Sequence, residues 1–115
     1  DPKQAEMYLE KGLKLARQLG IPYLVCTQLY NQGEYYLSQQ QSCIATTNFH
    51  EMLSHIPEGC QELLATALHG LARLAVLQNN IPEAQQQGRS SLSIFEKIGH
   101  CGAREIRNWL DTLPT

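Results

Sequence analysis

The residues able to do chemistry in this chain are four cysteines, four histidines and a scatter of carboxylates and serines. Cys26, Cys43, Cys60 and Cys101 stand far apart, and no CxxC step occurs among them. A zinc site needs thiolates or imidazoles grouped within a few residues on at least one side. His50 and His55 are five apart, which puts them on different faces of a helix, and no HxxxH is present. An even number of cysteines also admits two disulfides, yet a helical chain rich in leucine and alanine needs no such staple. Packing positions or plain surface thiols are the preferred reading, ahead of disulfides and then of metal.

Other chemistry fares no better. Glu34 with Glu51, or Glu58 with Glu62, would be the acid–base pairs, but no apolar surroundings mark either pair for proton transfer. Ser90, Ser91 and Ser93 read as polar helix positions, without the strained elbow that a nucleophile needs. The stretch "HGLAR" follows no strand, and no GxxxxGK[ST] loop exists to cradle phosphate. The glutamine runs Gln39, Gln40, Gln41 and Gln85, Gln86, Gln87 are expected to face water. His69, four residues before Arg73, is of more interest as binding surface than as catalyst. No enzymatic activity, metal or cofactor is expected.

Composition narrows the class further. At 115 residues, with 43% hydrophobic content, the chain has the size and makeup of one soluble domain. A net charge of -2 and a pI near 6.1 give no basic face for nucleic acid or anionic lipid. No run of apolar residues is long enough to span a membrane. The opening "DPKQAEMYLEKG" is not a signal peptide. It lacks an initiator Met and enters a helical pattern at once, so the chain reads as a piece of a longer, cytoplasmic protein.

Helices must carry all of these residues, because no segment alternates with period two. The spacing predicts a first helix over 3–19, with Ala5, Leu9, Gly12, Leu13 and Ala16 on one stripe. Gly20 and Pro22 punctuate its end. A second helix covers 22–39, striped by Cys26, Leu29, Gly33 and Tyr36, and a third covers 43–55 with Ala45, Phe49, Met52 and Leu53. After Pro57 and Gly59, a fourth covers 60–78 with Leu64, Leu68, Leu71, Ala72 and Ala75. Asn80, Pro82 and Glu83 form a helix start, and the fifth helix runs to 98 through Ala84, Gly88, Leu92 and Phe95. A sixth, over 101–112, places Ala103, Ile106 and Leu110 on one side, with Trp109 beside them.

Part of the chain repeats. "LYNQGEYYLSQQQSCIATTNF", starting at Leu29, lies over "LHGLARLAVLQNNIPEAQQQG", starting at Leu68. With Leu29 on Leu68, Gly33 falls on Ala72, Ala45 on Ala84, Phe49 on Gly88 and Leu53 on Leu92. Ala5, Leu9 and Leu13 echo the second half of the unit one repeat earlier. Gly33 is expected to let two helices approach closely, opposite small residues such as Ala45, with Phe49 and Tyr36 filling gaps between successive helices. Its neighbour Gln32 is expected to be exposed.

These positions, Leu29, Gln32-Gly33, Tyr36, Ala45, Phe49 and Pro57, resemble the tetratricopeptide repeat. The step from Leu29 to Leu68 is longer than that family's usual one. It is similar to repeats in the sensor regions of bacterial, often cyanobacterial, multidomain signalling ATPases. The resemblance implies an all-α, right-handed superhelix of stacked antiparallel helix pairs, about six helices in all. It divides the chain into the second helix of a truncated unit (1–20), two repeat units (21–58 and 59–99) and a capping helix (100–115).

It also implies a function: a non-catalytic scaffold or regulatory module that binds a protein, a peptide or other domains of its own chain. In such a stack the first helix of each unit lines the concave face, which puts Tyr30, Glu34, His69 and Arg73 in the partner-binding groove. The alternative is a ligand sensor, holding a small molecule between helices and regulating an attached effector. A monomer or weak homodimer is expected, without nucleic-acid or membrane partners.

Overall fold

A computed structural model describes residues 1–114, so Thr115, the last residue of the expected capping segment, lies outside the described residues. Six helices follow one another: α1 (Pro2–Leu19), α2 (Pro22–Ser38), α3 (Ser42–His55), α4 (Gln61–Leu77), α5 (Ile81–Lys97) and α6 (Gly102–Asp111). There is no strand among the described residues. The fold is all-α, and helices pack on their chain neighbours in the manner of tetratricopeptide-like pairs, α2 on α3 and α4 on α5. The chain divides into two compact units, Asp1–Glu58 and Gly59–Thr115.

Backbone chemistry explains where each helix stops. Gly20, Gly59 and Gly99 take positive φ of 67°, 87° and 66°, a region that glycine enters without steric cost. The ends of α2 and α4 are turned by side-chain-bearing residues instead, Gln40 and Asn79, both at φ 59° and one repeat step apart. Gln41 N–H reaches the Tyr36 carbonyl at 2.9 Å, and Asn80 N–H reaches the Ala75 carbonyl at 2.8 Å. His100 N–H reaches the Phe95 carbonyl at 2.9 Å in the same way, so three helices end in the same closure. Starts are equally local: Asp1 caps α1 and Asn80 caps α5 through their side chains, with Pro2, Pro22 and Pro82 in first turns.

In the first unit α1 lies against α2, and α2 against α3. Cys26, Leu29, Ala45, Phe49 and Met52 have no exposed surface at all. The repeat pattern set Gly33 opposite a small residue, but the structure does not. The Phe49 ring covers it, and a Cβ built there would lie 2.7 Å from Phe49 Cζ. Large sits on small in this pair because α2 offers a bare patch of backbone wide enough for the ring. Gln32, next to it, is buried rather than exposed.

In the second unit the inner face of α4 is broader than its expected stripe. Leu63, Ala65, Ala67, Gly70 and Leu74 are buried along with Leu71, Ala72 and Ala75, while Leu64 and Leu68 are only partly covered. Ala65, Phe95 and Ile106 form a core joined by Leu92, Ile94, Ala103 and Leu110. Gly88 makes room for α6, since a Cβ there would meet Leu110 Cδ2 at 2.7 Å and Trp109 Cζ3 at 3.0 Å.

Candidate functional site

Tyr30 and Glu34 lie one turn apart on α2, and both are half-buried. Tyr30 presents its ring edge to Phe49, the centroids 6.3 Å apart at 61°. This is the edge-to-face geometry that aromatic pairs favour. The ring is therefore held by the same residue that fills the bare backbone at Gly33.

His69 and Arg73 occupy the equivalent positions on α4, again one turn apart and half-buried. His69 meets Trp109 edge-on, at 5.0 Å and 77°. Arg73 Nε donates to the His69 carbonyl at 3.5 Å, which curls its guanidinium stem back along the helix. Phe49 has no aromatic counterpart in the second unit, where Gly88 stands at its position. Trp109, arriving from α6, supplies the ring that supports His69 instead. Trp109 is half-buried and shares a contact surface with the predicted His69, so it belongs to the candidate site as well as to the core.

The structure thus brings Tyr30 and Glu34 together in the first unit, and His69 and Arg73 together in the second. Each pair rides on the first helix of a packed pair, with a ring from a later helix behind its first member. No pattern in the sequence marks Trp109 as a partner of His69. The only hint is that the Phe49 position is vacated at Gly88.

Other polar groups turn out to fasten helices. Arg17 on α1 pairs with Glu51 on α3 at 2.6 Å, and His55 lies 3.6 Å from the same carboxylate. His100 Nδ1 accepts from Gly102 N–H at 2.8 Å, while its Nε2 lies 3.3 Å from Glu62 Oε1 and its ring stacks on Phe95 at 4.8 Å. Glu51 and Glu62 are therefore not simply solvated, as expected for them. Gln85 and Gln87 also depart from expectation: Gln85 Nε2 donates to the Pro114 carbonyl at 2.8 Å and Gln87 Nε2 to Glu83 at 2.5 Å. Ser91 is fully buried, its hydroxyl donating to the Ala65 carbonyl at 2.6 Å. Because that hydroxyl is committed to a backbone acceptor in the core, it has no access to a substrate.

The fold shifts the acidity of Tyr36. Burial raises its phenol above the ordinary value of 10.0, and the nearby carboxylates of Glu6 and Glu10, with Tyr35, push it the same way. None of the four cysteines is in a disulfide; Cys26 is buried, Cys60 partly covered, Cys43 and Cys101 exposed. Among the described residues no three His, Cys, Asp or Glu side chains group as a metal site would need, and no helix is long and apolar enough to cross a membrane.

The chain is 30% identical over 93 residues to "Response regulator aspartate phosphatase A" of Bacillus subtilis (strain 168). That match takes in 81% of this chain but 25% of the relative, so the chain spans about a quarter of the length of the curated relative it matches. No protein-family model matches the chain, and no solved structure matches it at a significant level.

Proposed function

We propose that this chain is a non-catalytic helical-repeat module that binds a protein, acting within a larger signalling protein in the cytoplasm. Each unit would present its own pair of binding residues, Tyr30 and Glu34 in the first and His69 and Arg73 in the second. The observation that carries this reading is the matched construction of the two pairs. At equivalent positions an aromatic or imidazole ring is held edge-on by a second ring, with a charged residue one turn further on. Rigid rings beside charges are the residues on which protein interfaces concentrate their binding energy. A small-molecule sensor would need polar groups converging in an enclosed pocket. The cleft beside α6 instead has Arg89, Arg107 and Asp111, all exposed.

The relative's name suggests a response regulator as the partner to test first. Purified response regulator, with and without aspartyl phosphate, would be titrated against the chain and against the Tyr30→Ala, Arg73→Glu double variant. Binding by the parent chain and a loss of about tenfold or more in the folded variant are expected. Equal binding by both proteins would remove these four residues from the site. The phosphate should decay at the same rate with and without the chain; accelerated loss would make the chain catalytic and overturn that part of the reading. The signalling-ATPase context suggested by the repeat length remains part of this proposal.

A further inference from the structure

Within the second unit, α5 and α6 enclose a cleft of about 400 Å³ that combines an apolar floor with unequal charge. Leu92 on α5 and Leu110 and Leu113 from α6 and the turn after it make the floor, each only partly covered. The hydrogen bond from Gln85 to the Pro114 carbonyl holds that turn, and with it Leu113, against α5. The floor is thus built from both elements and fixed at one end.

Two guanidiniums, Arg89 and Arg107, line the walls against one carboxylate, Asp111, and all three are exposed. Arg107 is paired with Glu96, an ion pair open to water on both sides and of the kind that adds little to stability. Arg89 makes no hydrogen bond or ion pair among the described residues. Its charge therefore does nothing for the fold. The chain as a whole is acidic, with a net charge of -2, so this positive bias is local. A local bias suits carboxylates placed one by one, not the continuous charge of an anionic membrane.

We propose that the α5–α6 cleft docks an acidic segment of another protein, one that also carries large apolar side chains. The apolar side chains rest on Leu92, Leu110 and Leu113, as an amphipathic segment fills an apolar groove. A carboxylate of the segment takes the guanidinium of Arg89, whose paired N–H donors match its two oxygens, and a second lies toward Arg107. Asp111 works against such a segment, but a basic one would meet two guanidiniums for that single carboxylate. None of Tyr30, Glu34, His69 and Arg73 lines the cleft, so this surface is separate from the binding pairs proposed above. Few side chains are buried on either side, which places association in the weak range, roughly micromolar to millimolar.

Calorimetric titration of the 115-residue chain with synthetic peptides tests this. One peptide carries leucines at helical spacing with glutamates between them; a second has lysines for the glutamates, and a third has serines for the leucines. The first should bind, and the other two at least about tenfold more weakly. Arg89→Glu should weaken the glutamate peptide by about tenfold and favour the lysine peptide, while Asp111→Asn should move both affinities the opposite way. If Arg89→Glu lost its helical circular dichroism, Asp111→Asn would decide alone. The Tyr30→Ala, Arg73→Glu double variant should bind the glutamate peptide as the parent does; a loss there would assign the peptide to those residues and overturn the proposal. So would a glutamate peptide that fails to bind, or a lysine peptide that binds as well. Vesicles of anionic phospholipid should not bind, and vesicle binding lost in Arg89→Glu would give the arginines to a lipid surface instead.

Discussion

Ser91 on α5 donates a hydrogen bond to the Ala65 carbonyl on α4, and the same two positions are joined in the opposite sense in the other unit. There Cys26 on α2 donates through Sγ to the Met52 carbonyl on α3, at 3.5 Å. The repeat step that carries Leu29 to Leu68 carries Cys26 to Ala65 and Met52 to Ser91. The bond between paired helices survives while its donor has moved from the first helix to the second. What persists between the units is a side-chain-to-backbone link across the pair, not the residue that makes it.

Ser91→Ala removes that link from a site with no exposed surface. The Ala65 carbonyl keeps its place in its own helix, so the loss should be that of one hydrogen bond, about 1 kcal/mol. Urea melts measure it. A variant as stable as the parent would mean the hydroxyl gains nothing over its interaction with water in the unfolded chain.

Gly33→Ala should destabilise the chain although alanine favours a helix interior by roughly 1 kcal/mol. The new Cβ would lie 2.7 to 2.9 Å from three atoms of the Phe49 ring, which is itself fully buried. Overpacking of this kind costs about 1–3 kcal/mol. Asn31→Ala, two positions earlier and exposed, should be neutral or stabilising in the same melts. In Gly33→Ala with Phe49→Leu the penalties should fall short of their sum; strict additivity would separate the glycine from the ring.

His100→Ala should loosen the start of α6. The imidazole caps the helix through Gly102 N–H, and losing a cap costs about 0.5–2 kcal/mol. Hydrogen exchange should quicken at Ala103, Arg104 and Glu105 while α4 stays protected. Unchanged exchange in α6 would leave this ring only its stacking on Phe95 and its contact with Glu62.

Tyr36 makes stability depend on alkaline pH. Its phenol is held above the ordinary value in the folded chain, so folding favours the neutral form. That contribution is complete below the unfolded value near 10 and is lost as pH climbs through the raised folded value. Stability of the parent should therefore fall more than that of Tyr36→Phe as pH rises above about 10. Parallel curves for the two proteins would contradict the assignment.

The helices were legible because glycine and proline punctuate most of them: Gly20 before Pro22, Pro57 before Gly59, Pro82 after Asn80, and Gly99. The closures at Gln40 and Asn79 were not, since neither residue announces a left-handed backbone as glycine does. The repeat showed which positions lie inside but not what meets there. Gly33 was matched with small residues, yet it faces Phe49, because spacing along one helix says nothing about the register of the next. Gln32, expected to be exposed, and Ser91, read as a polar helix position, are both buried, because a periodic stripe is narrower than the face a neighbouring helix covers. At the candidate site the helix positions of Tyr30, Glu34, His69 and Arg73 could be read from the repeat. Trp109 could not, since it reaches His69 on α4 from α6, two helices further along the chain.

That contact has an optical consequence. Trp109 is the one tryptophan of the chain, and its indole lies against the His69 imidazole and over Gly88. The chain therefore carries a native fluorophore at the edge of its candidate binding surface, beside a ring able to quench it. Any partner that displaces His69 or lifts α6 from α5 would announce itself as a change in emission, with no label attached.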